Sequence, residues 1–347
     1  MIRTLTLPSD PVDAGRLHGE QFRDDIRRYT DERVHLATNG SWAGRPTTRA
    51  DVLGLAEEML PAHRAYDAAL YDEMVAMAAA AGISAAEAVI VGGFTDFVDA
   101  VRARGAAPTE DDCTAVIVPD ARADGAGWLT QTWDMHDTAT EHVVMLAPPG
   151  ALVFTTVGCV GQIGMNTHGV AIGINNLTTR DGKVGVTWPF VVRKVLRQTS
   201  FDAALACVTG ASLAGGHAFL LLDAEGRGAS IEATSSAVEV TPLAAEPLAH
   251  TNHVIGPAML RYEADRAPAL VASSRERLAR AVERCREPRL DFDAMVELTR
   301  DPTICRRSEP PFHLETSGAV VMRPRTRELW AVWRSPADHP YERFQVG

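Results

Sequence analysis

Cys113 stands where a turn-rich, acidic stretch, residues 101–112, gives way to the alternating apolar run Thr114-Ala-Val-Ile-Val118. A cysteine at the start of a strand, preceded by a segment open to cleavage, is placed to act as a nucleophile. Inside an apolar run it would pack as a small hydrophobe. A second chemical group closes the next run, Trp128-Leu-Thr-Gln-Thr-Trp133, in the stretch Gln131-Thr-Trp-Asp-Met-His136. A hairpin between two such runs brings Cys113 and Asp134 to the same end of a sheet. A different chemistry would use Asp134, His136, His217, His250 and His253 as metal ligands of an amidohydrolase. His250 and His253 have a spacing that suits zinc on a helix, but they fall in a strand–turn context. The cysteines at 113, 159, 207, 285 and 305 show neither paired metal spacing nor disulfide density, which points to reduced thiols.

The elements that must position these groups change character near residue 112. Before it the chain reads as helical. Asp13 to Leu36 carries apolar residues at helix period, with Leu17, Phe22, Ile26, Tyr29 and Val34 as anchors. Asn39-Gly-Ser-Trp-Ala-Gly-Arg-Pro46 breaks that pattern. Thr48 and Asp51 then cap a helix running toward Leu60, and Ala62 to Ala81 predicts a second, ended by Gly82. Ser84 with Glu87 signals another helix start. After residue 112 the period becomes two. Strands are predicted at 114–118, 128–133, 142–146, 152–156, 161–165 and 170–174, with Asn166-Thr-His-Gly169 as a hairpin loop. Helices at 189–197 and 201–208 precede a hairpin of 217–223 with 228–233. Helices at 275–286 and 292–299 precede a last hairpin of 318–322 with 328–333. This order predicts layered sheets covered by helices.

The chain has 347 residues, 46% hydrophobic and 23% charged, enough for a sizeable core in one large domain or two modest ones. A net charge of −11 repels a phosphate backbone, so nucleic acid is not an expected partner. The same charge hints at cationic amine substrates. No apolar run approaches a membrane span, and the start lacks the apolar core of a signal peptide. A cytoplasmic location is the expectation.

Four stretches together resemble one known family. Gly15-Arg-Leu-His-Gly-Glu-Gln21 is similar to a Gly-Arg-x-His-Gly signature, and Asp112-Cys-Thr114 to a Gly-Cys-Thr processing site. Gln131-Thr-Trp-Asp134 is similar to Gln-Asn-Trp-Asp, and Gly161-Gln-Ile-Gly-Met-Asn-Thr-His-Gly169 to a Gly-x-x-Gly-Met-Asn-x-x-Gly hairpin. Thr251-Asn252 and Ile304-Cys-Arg306 match later motifs more weakly. The family is that of the acyl-coenzyme A:6-aminopenicillanate (isopenicillin N) acyltransferases and β-alanyl-amine hydrolases, within the N-terminal-nucleophile hydrolases. The resemblance runs from residue 15 to the C-terminus.

It implies an α+β fold, a four-layered αββα sandwich, made as a single domain over 1–347. The expected cut before Cys113 would leave an α segment, 1–112, associated with a β segment, 113–347. It further implies Cys113 as nucleophile, Asp134 orienting the thiol or its α-amine, and Asn252 donating to the oxyanion. Arg306 would clamp a carboxylate, with Arg307 competing for that role. Thr114, Met135 and His136 are the expected substrate contacts. Gly15, Arg16 and His18 pack or cap, and Asn166 and Gly169 shape a turn. The reaction implied is hydrolysis or transfer of an acyl group on a small acylated amine, with no cofactor or metal. An acyl thioester as second substrate and a homo-oligomer stay open. Two positions depart from the family pattern: Asp112 replaces a glycine, and Met135 stands where an aromatic residue is common. The first leaves an alternative, a non-catalytic chain that keeps the fold and is never cut.

Overall fold

A computed structural model describes residues 1–39, 46–103 and 113–347. The predicted breaker at 39–46 and the connector at 101–112, Asp112 included, lie largely or wholly outside them. The chain opens with strand β1 (Arg3–Thr6) and the helices α1 (Pro11–Gln21), α2 (Arg23–Asn39), α3 (Arg49–Tyr66), α4 (Ala68–Ala81), α5 (Ala85–Gly92) and α6 (Phe94–Ala103). Strands β2 (Thr114–Val118), β3 (Trp128–His136), β4 (Val143–Ala147), β5 (Ala151–Thr156), β6 (Ile163–Asn166) and β7 (Ala171–Leu177) follow. Helices α7 (Trp188–Val195) and α8 (Phe201–Thr209) lead to β8 (Gly216–Leu222), β9 (Gly228–Ala233), β10 (Val238–Pro242) and β11 (Leu248–His250). The chain ends with α9 (Pro268–Arg284), α10 (Phe292–Arg300), β12 (Leu314–Arg323), β13 (Glu328–Trp333) and β14 (Glu342–Gln345).

The strands form two sheets, β1-β4-β5-β6-β7-β8-β9-β10 and β11-β2-β3-β12-β13-β14. Period two sorts β2 between two cores. Ala115 and Ile117 join the large core between the sheets and under α1–α8, whereas Val116 and Val118 pack with Ala281, Met295 and Leu298 of α9 and α10. The result is the αββα sandwich. Gln131 of β3 crosses between the sheets: its Oε1 accepts from Ile174 N of β7 at 2.8 Å, and its Nε2 donates to Ile174 O.

Most predicted elements stand where the periodicity puts them, and the Ser84–Glu87 capping box is present. Two helices are corrected. The single helix read over Asp13–Leu36 breaks at Phe22, where φ is −119°. On its first half, Gly15 and Gly19 bring α1 against α4, and a Cβ on Gly15 would lie 2.0 Å from Glu73 O. The helix expected to stop near Leu60 instead runs through Pro61 to Tyr66, and Asp67 caps α4 by accepting from Leu70 N. Buried Leu55, Met59 and His63 hold α3 together across the proline. No single helix among the described residues is long and apolar enough to cross a membrane.

Candidate active site

Strands β2 and β3 pair antiparallel with Thr114 opposite Thr132, which carries Cys113 to the backbone of Asp134. The Cys113 thiol lies 3.7 Å from Asp134 O, and Asp134 N–H points at Sγ from 3.5 Å. Cys113 is 3% exposed and lines a cavity. Opposite β3, the register of β12 slips between Thr316 and Gly318. Such a bulge re-aims side chains beside it. Here Thr316 Oγ1 donates to Asp134 Oδ1 at 2.7 Å while accepting from Arg306 N at 2.8 Å.

The backbone nitrogen of Cys113 donates to Asn252 Oδ1 at 2.7 Å. Asn252 follows β11, which pairs with β2, so the sheet itself delivers this amide. Its Nδ2 donates to Asn176 O at 3.1 Å, Ser274 Oγ accepts from its N at 2.9 Å, and Arg266 Nη1 donates to its O at 2.7 Å. An asparagine amide has two hydrogens on Nδ2. One is committed to Asn176.

Arg277 is the residue that sequence reasoning passed over. Its Nη1 donates to Cys113 O at 2.6 Å and Thr114 Oγ1 at 2.9 Å, and its Nη2 to Asn252 Oδ1 at 3.0 Å. A guanidinium therefore fixes both the residue and its amide partner from one side. The signal was available: Leu270, Ser274, Arg277 and Ala281 form the buried stripe of α9, and a cation on an apolar stripe requires oxygen partners.

The remaining expected residues are distributed as follows. Thr114 is fully buried, with its hydroxyl accepting from Arg277. Met135 lines the Cys113 cavity. His136 sits half-buried at the end of β3, its Nδ1 2.9 Å from Thr138 Oγ1. Burial first, and the Arg33 charge second, push its pKa down. The Arg306 guanidinium donates to Ser273 and, with Arg307, lines a separate cavity of ≈ 690 Å³. Arg307 pairs with Asp338. His18 accepts from Gly158 N at 3.2 Å, Arg16 pairs with Asp13, and Asn166 Oδ1 accepts from His168 N and Val170 N to build the hairpin turn. Gly169 there has φ +75°.

The five alternative metal ligands do not converge. His217 faces Asp96 at 3.1 Å, His250 faces Glu232 at 2.7 Å, His253 bonds Ser274 at 2.8 Å, and Asp134 bonds Thr316. Among the described residues no group of three ligand side chains is placed to hold a metal ion.

The cavity is narrow, ≈ 20 Å³, about the space of one water. Tyr29, Phe94, Trp133 and Trp188 give it aromatic walls, with Gln162 and His217 as polar edges.

Residues 121–338 match the family model described as acyl-coenzyme A:6-aminopenicillanic acid acyl-transferase. The chain belongs to this family. The matched segment begins after Cys113 and contains Asp134, Asn252, Arg277 and Arg306. A member of it is an enzyme of acyl-group transfer or hydrolysis. The chain is also 23% identical over 261 residues to the Emericella nidulans protein named acyl-coenzyme A:6-aminopenicillanic-acid-acyltransferase 40 kDa form, covering 72% of this chain and 69% of that one. Among solved structures, a mutant conjugated bile acid hydrolase from Clostridium perfringens aligns at TM-score 0.44 and 11% identity, over 67% of this chain and 97% of the other. Penicillin V acylase from Agrobacterium tumefaciens aligns at TM-score 0.37 and 11% identity, over 64% and 82%.

Proposed function

We propose that the chain severs its own Asp112–Cys113 bond and then works as a cysteine amide hydrolase or acyltransferase on small acylated amines. The observation that carries the reading is the Cys113 backbone nitrogen, held at 2.7 Å by Asn252 in a residue that lines the cavity. Before cleavage that nitrogen is an amide and cannot take a proton. Cys113 Sγ attacks the Asp112 carbonyl carbon, the C–N bond breaks, and the proton lost by the thiol ends on the nitrogen. That step frees the α-amine; water then splits the thioester, releasing the Asp112 carboxylate and restoring the Cys113 thiol.

An α-amine has a reference pKa of roughly 7.7–8.0, suited to general-base work near neutrality. In turnover it takes the thiol proton while Sγ attacks the substrate carbonyl. Asn252 Oδ1 holds the amine beside the sulfur, and its second Nδ2 hydrogen donates to the oxyanion. When the tetrahedral intermediate collapses, the ammonium returns its proton to the leaving amine. Water, or a second amine, then takes the acyl group from Cys113. Asp134 keeps its backbone against the sulfur while Thr316 anchors its carboxylate. Arg277, with its bonds to Cys113 O and Asn252, holds this constellation together. The aromatic cavity walls favour an apolar or aromatic acyl group.

The two segments stay together after the cut, as one domain. Strand β1 of the first pairs in parallel with β4 of the second, and Tyr29 and Phe94 share a cavity wall with Trp133 and Trp188. The test is turnover of N-phenylacetyl and N-alkanoyl amides by the purified protein, with mass spectrometry of Cys113 during turnover. An acyl adduct on Cys113 in the wild type, and neither adduct nor activity in Cys113→Ala, is the expected result. Activity in Cys113→Ala would overturn the reading.

A further inference from the structure

Helix α2 buries a cation without giving it enough partners. Its buried stripe contains Ile26, Tyr29, Arg33, Val34 and Ala37, so a guanidinium occupies an apolar position. Arg33 is 0% exposed. Its Nη2 donates to Thr138 Oγ1 at 3.0 Å and lies 3.3 Å from Glu32 Oε1, a carboxylate a quarter exposed. Its Nε and Nη1 are buried with no hydrogen-bond partner among the described residues. Arg193 and Arg277, also buried, are better provided for. Arg193 bonds Glu73 and Val160 O, and Arg277 bonds three oxygens around Cys113. A buried charge left short of oxygen acceptors is costly, and a fold gains nothing from it by itself.

Its position supplies the reason. The Arg33 guanidinium lies 4.7 Å from the Tyr29 ring centroid and 5.1 Å from that of Phe94. Those two rings wall the Cys113 cavity. The same guanidinium meets Thr138, which in turn bonds His136 just beyond cavity-lining Met135. The cavity has room for about one water, so a substrate must displace its walls, and Tyr29 and Phe94 are the walls against which the Arg33 guanidinium packs.

We propose that Arg33 recognises a carboxylate on the substrate, so that the preferred acylated amines are anionic. This deepens the reading of Cys113 as the acyl acceptor and rests on it for turnover, though not for binding. The carboxylate lies on the acyl chain or on the amine; the recognition chemistry is the same.

Two kinds of experiment test it. Binding is read without chemistry, by thermal unfolding of Cys113→Ala with phenylacetate and glutarate against neutral phenylacetamide. At least one carboxylate is expected to raise Tm more than the amide does, and Arg33→Met made in the same background is expected to abolish the difference. Turnover is read as ratios of kcat/KM. Glutaryl p-nitroanilide against pentanoyl p-nitroanilide places the carboxylate on the acyl side; N-phenylacetylglycine against N-ethylphenylacetamide places it on the amine side. A ratio of about tenfold or more for one pair, from a charge-assisted hydrogen bond, is expected to collapse toward one in Arg33→Met and to be partly kept in Arg33→Lys. Ligand-free Arg33→Met is expected to keep or raise its Tm, because it removes an under-partnered buried charge. A large loss of Tm in Arg33→Met would mark a structural cation and overturn the proposal, as would carboxylate binding unchanged in that variant, or no carboxylate preference in any arm. If carboxylates bind through Arg33 but no amide acylates Cys113, Arg33 stands as an anion site and the proposed reaction fails.

Discussion

Asn252→Asp separates the two jobs assigned to one amide. The substitution keeps Oδ1, so the acceptor 2.7 Å from Cys113 N is retained. It replaces Nδ2 by an oxygen that faces the Asn176 carbonyl at 3.1 Å, which loses one hydrogen bond and adds repulsion. Arg277 Nη2, 3.0 Å from Oδ1, offsets the new charge. The net stability cost is therefore modest, about 1–3 kcal/mol. The catalytic cost is larger, because the oxyanion loses its N–H donor. Removing one such donor costs about 100- to 1,000-fold in kcat, or ~2.7–4 kcal/mol. The assay is kcat on an N-acyl p-nitroanilide, beside the rate of iodoacetamide alkylation at Cys113. A large fall in kcat with alkylation nearly unchanged is expected. A kcat within about threefold of wild type, or a parallel fall in alkylation, would refute the donor role.

Other outcomes follow from the same contacts. Arg277→Met removes the donors to Cys113 O, Thr114 Oγ1 and Asn252 Oδ1, leaving Asn252 Oδ1 its bond from Cys113 N. It is expected to cost about 1–3 kcal/mol in urea unfolding, from buried acceptors left short of a donor. Thr316→Val keeps the shape of β12 but removes the donor to Asp134 Oδ1. Stability should fall by about 1–3 kcal/mol and kcat should drop with KM little changed, read by steady-state kinetics. His18 is held neutral with its pKa lowered from 6.5 to about 4, by burial first and by Arg193 second. Its folded value lies below the unfolded one, so its contribution is complete above pH 6.5 and is lost as pH falls toward 4, on the order of 3 kcal/mol. Urea midpoints measured across that window should decline, and the decline should be shallower in His18→Gln.

The inner strands of the second segment were legible because they are runs of apolar and β-branched residues bounded by turn residues, and both of their faces are buried. The edge strands β1, β10, β11 and β14 were not predicted: β1 and β14 are short and alternate between half-buried and exposed residues, and β10 is mostly exposed. The break at Phe22 was hidden because both halves of that region keep one buried face in register with the core. Cys113, Asp134 and Asn252 come together through strand pairing, and their motifs could be read along the chain. Arg277 and Arg33 were not read as site residues, because each lies in a charge-rich helix where an arginine looks solvated. Only placement on the apolar stripe distinguishes them. Thr316 depends on the β12 bulge, which has no sequence marker of its own.

Intact mass spectrometry of the purified wild-type chain and of Cys113→Ala tests the central claim most directly. Two fragments from the wild type, ending at Asp112 and beginning at Cys113, beside one uncut 37.4 kDa chain for the variant, are the predicted result. A wild-type chain that turns over substrate while remaining in one piece would contradict the account, because the nitrogen of Cys113 would then still be an amide.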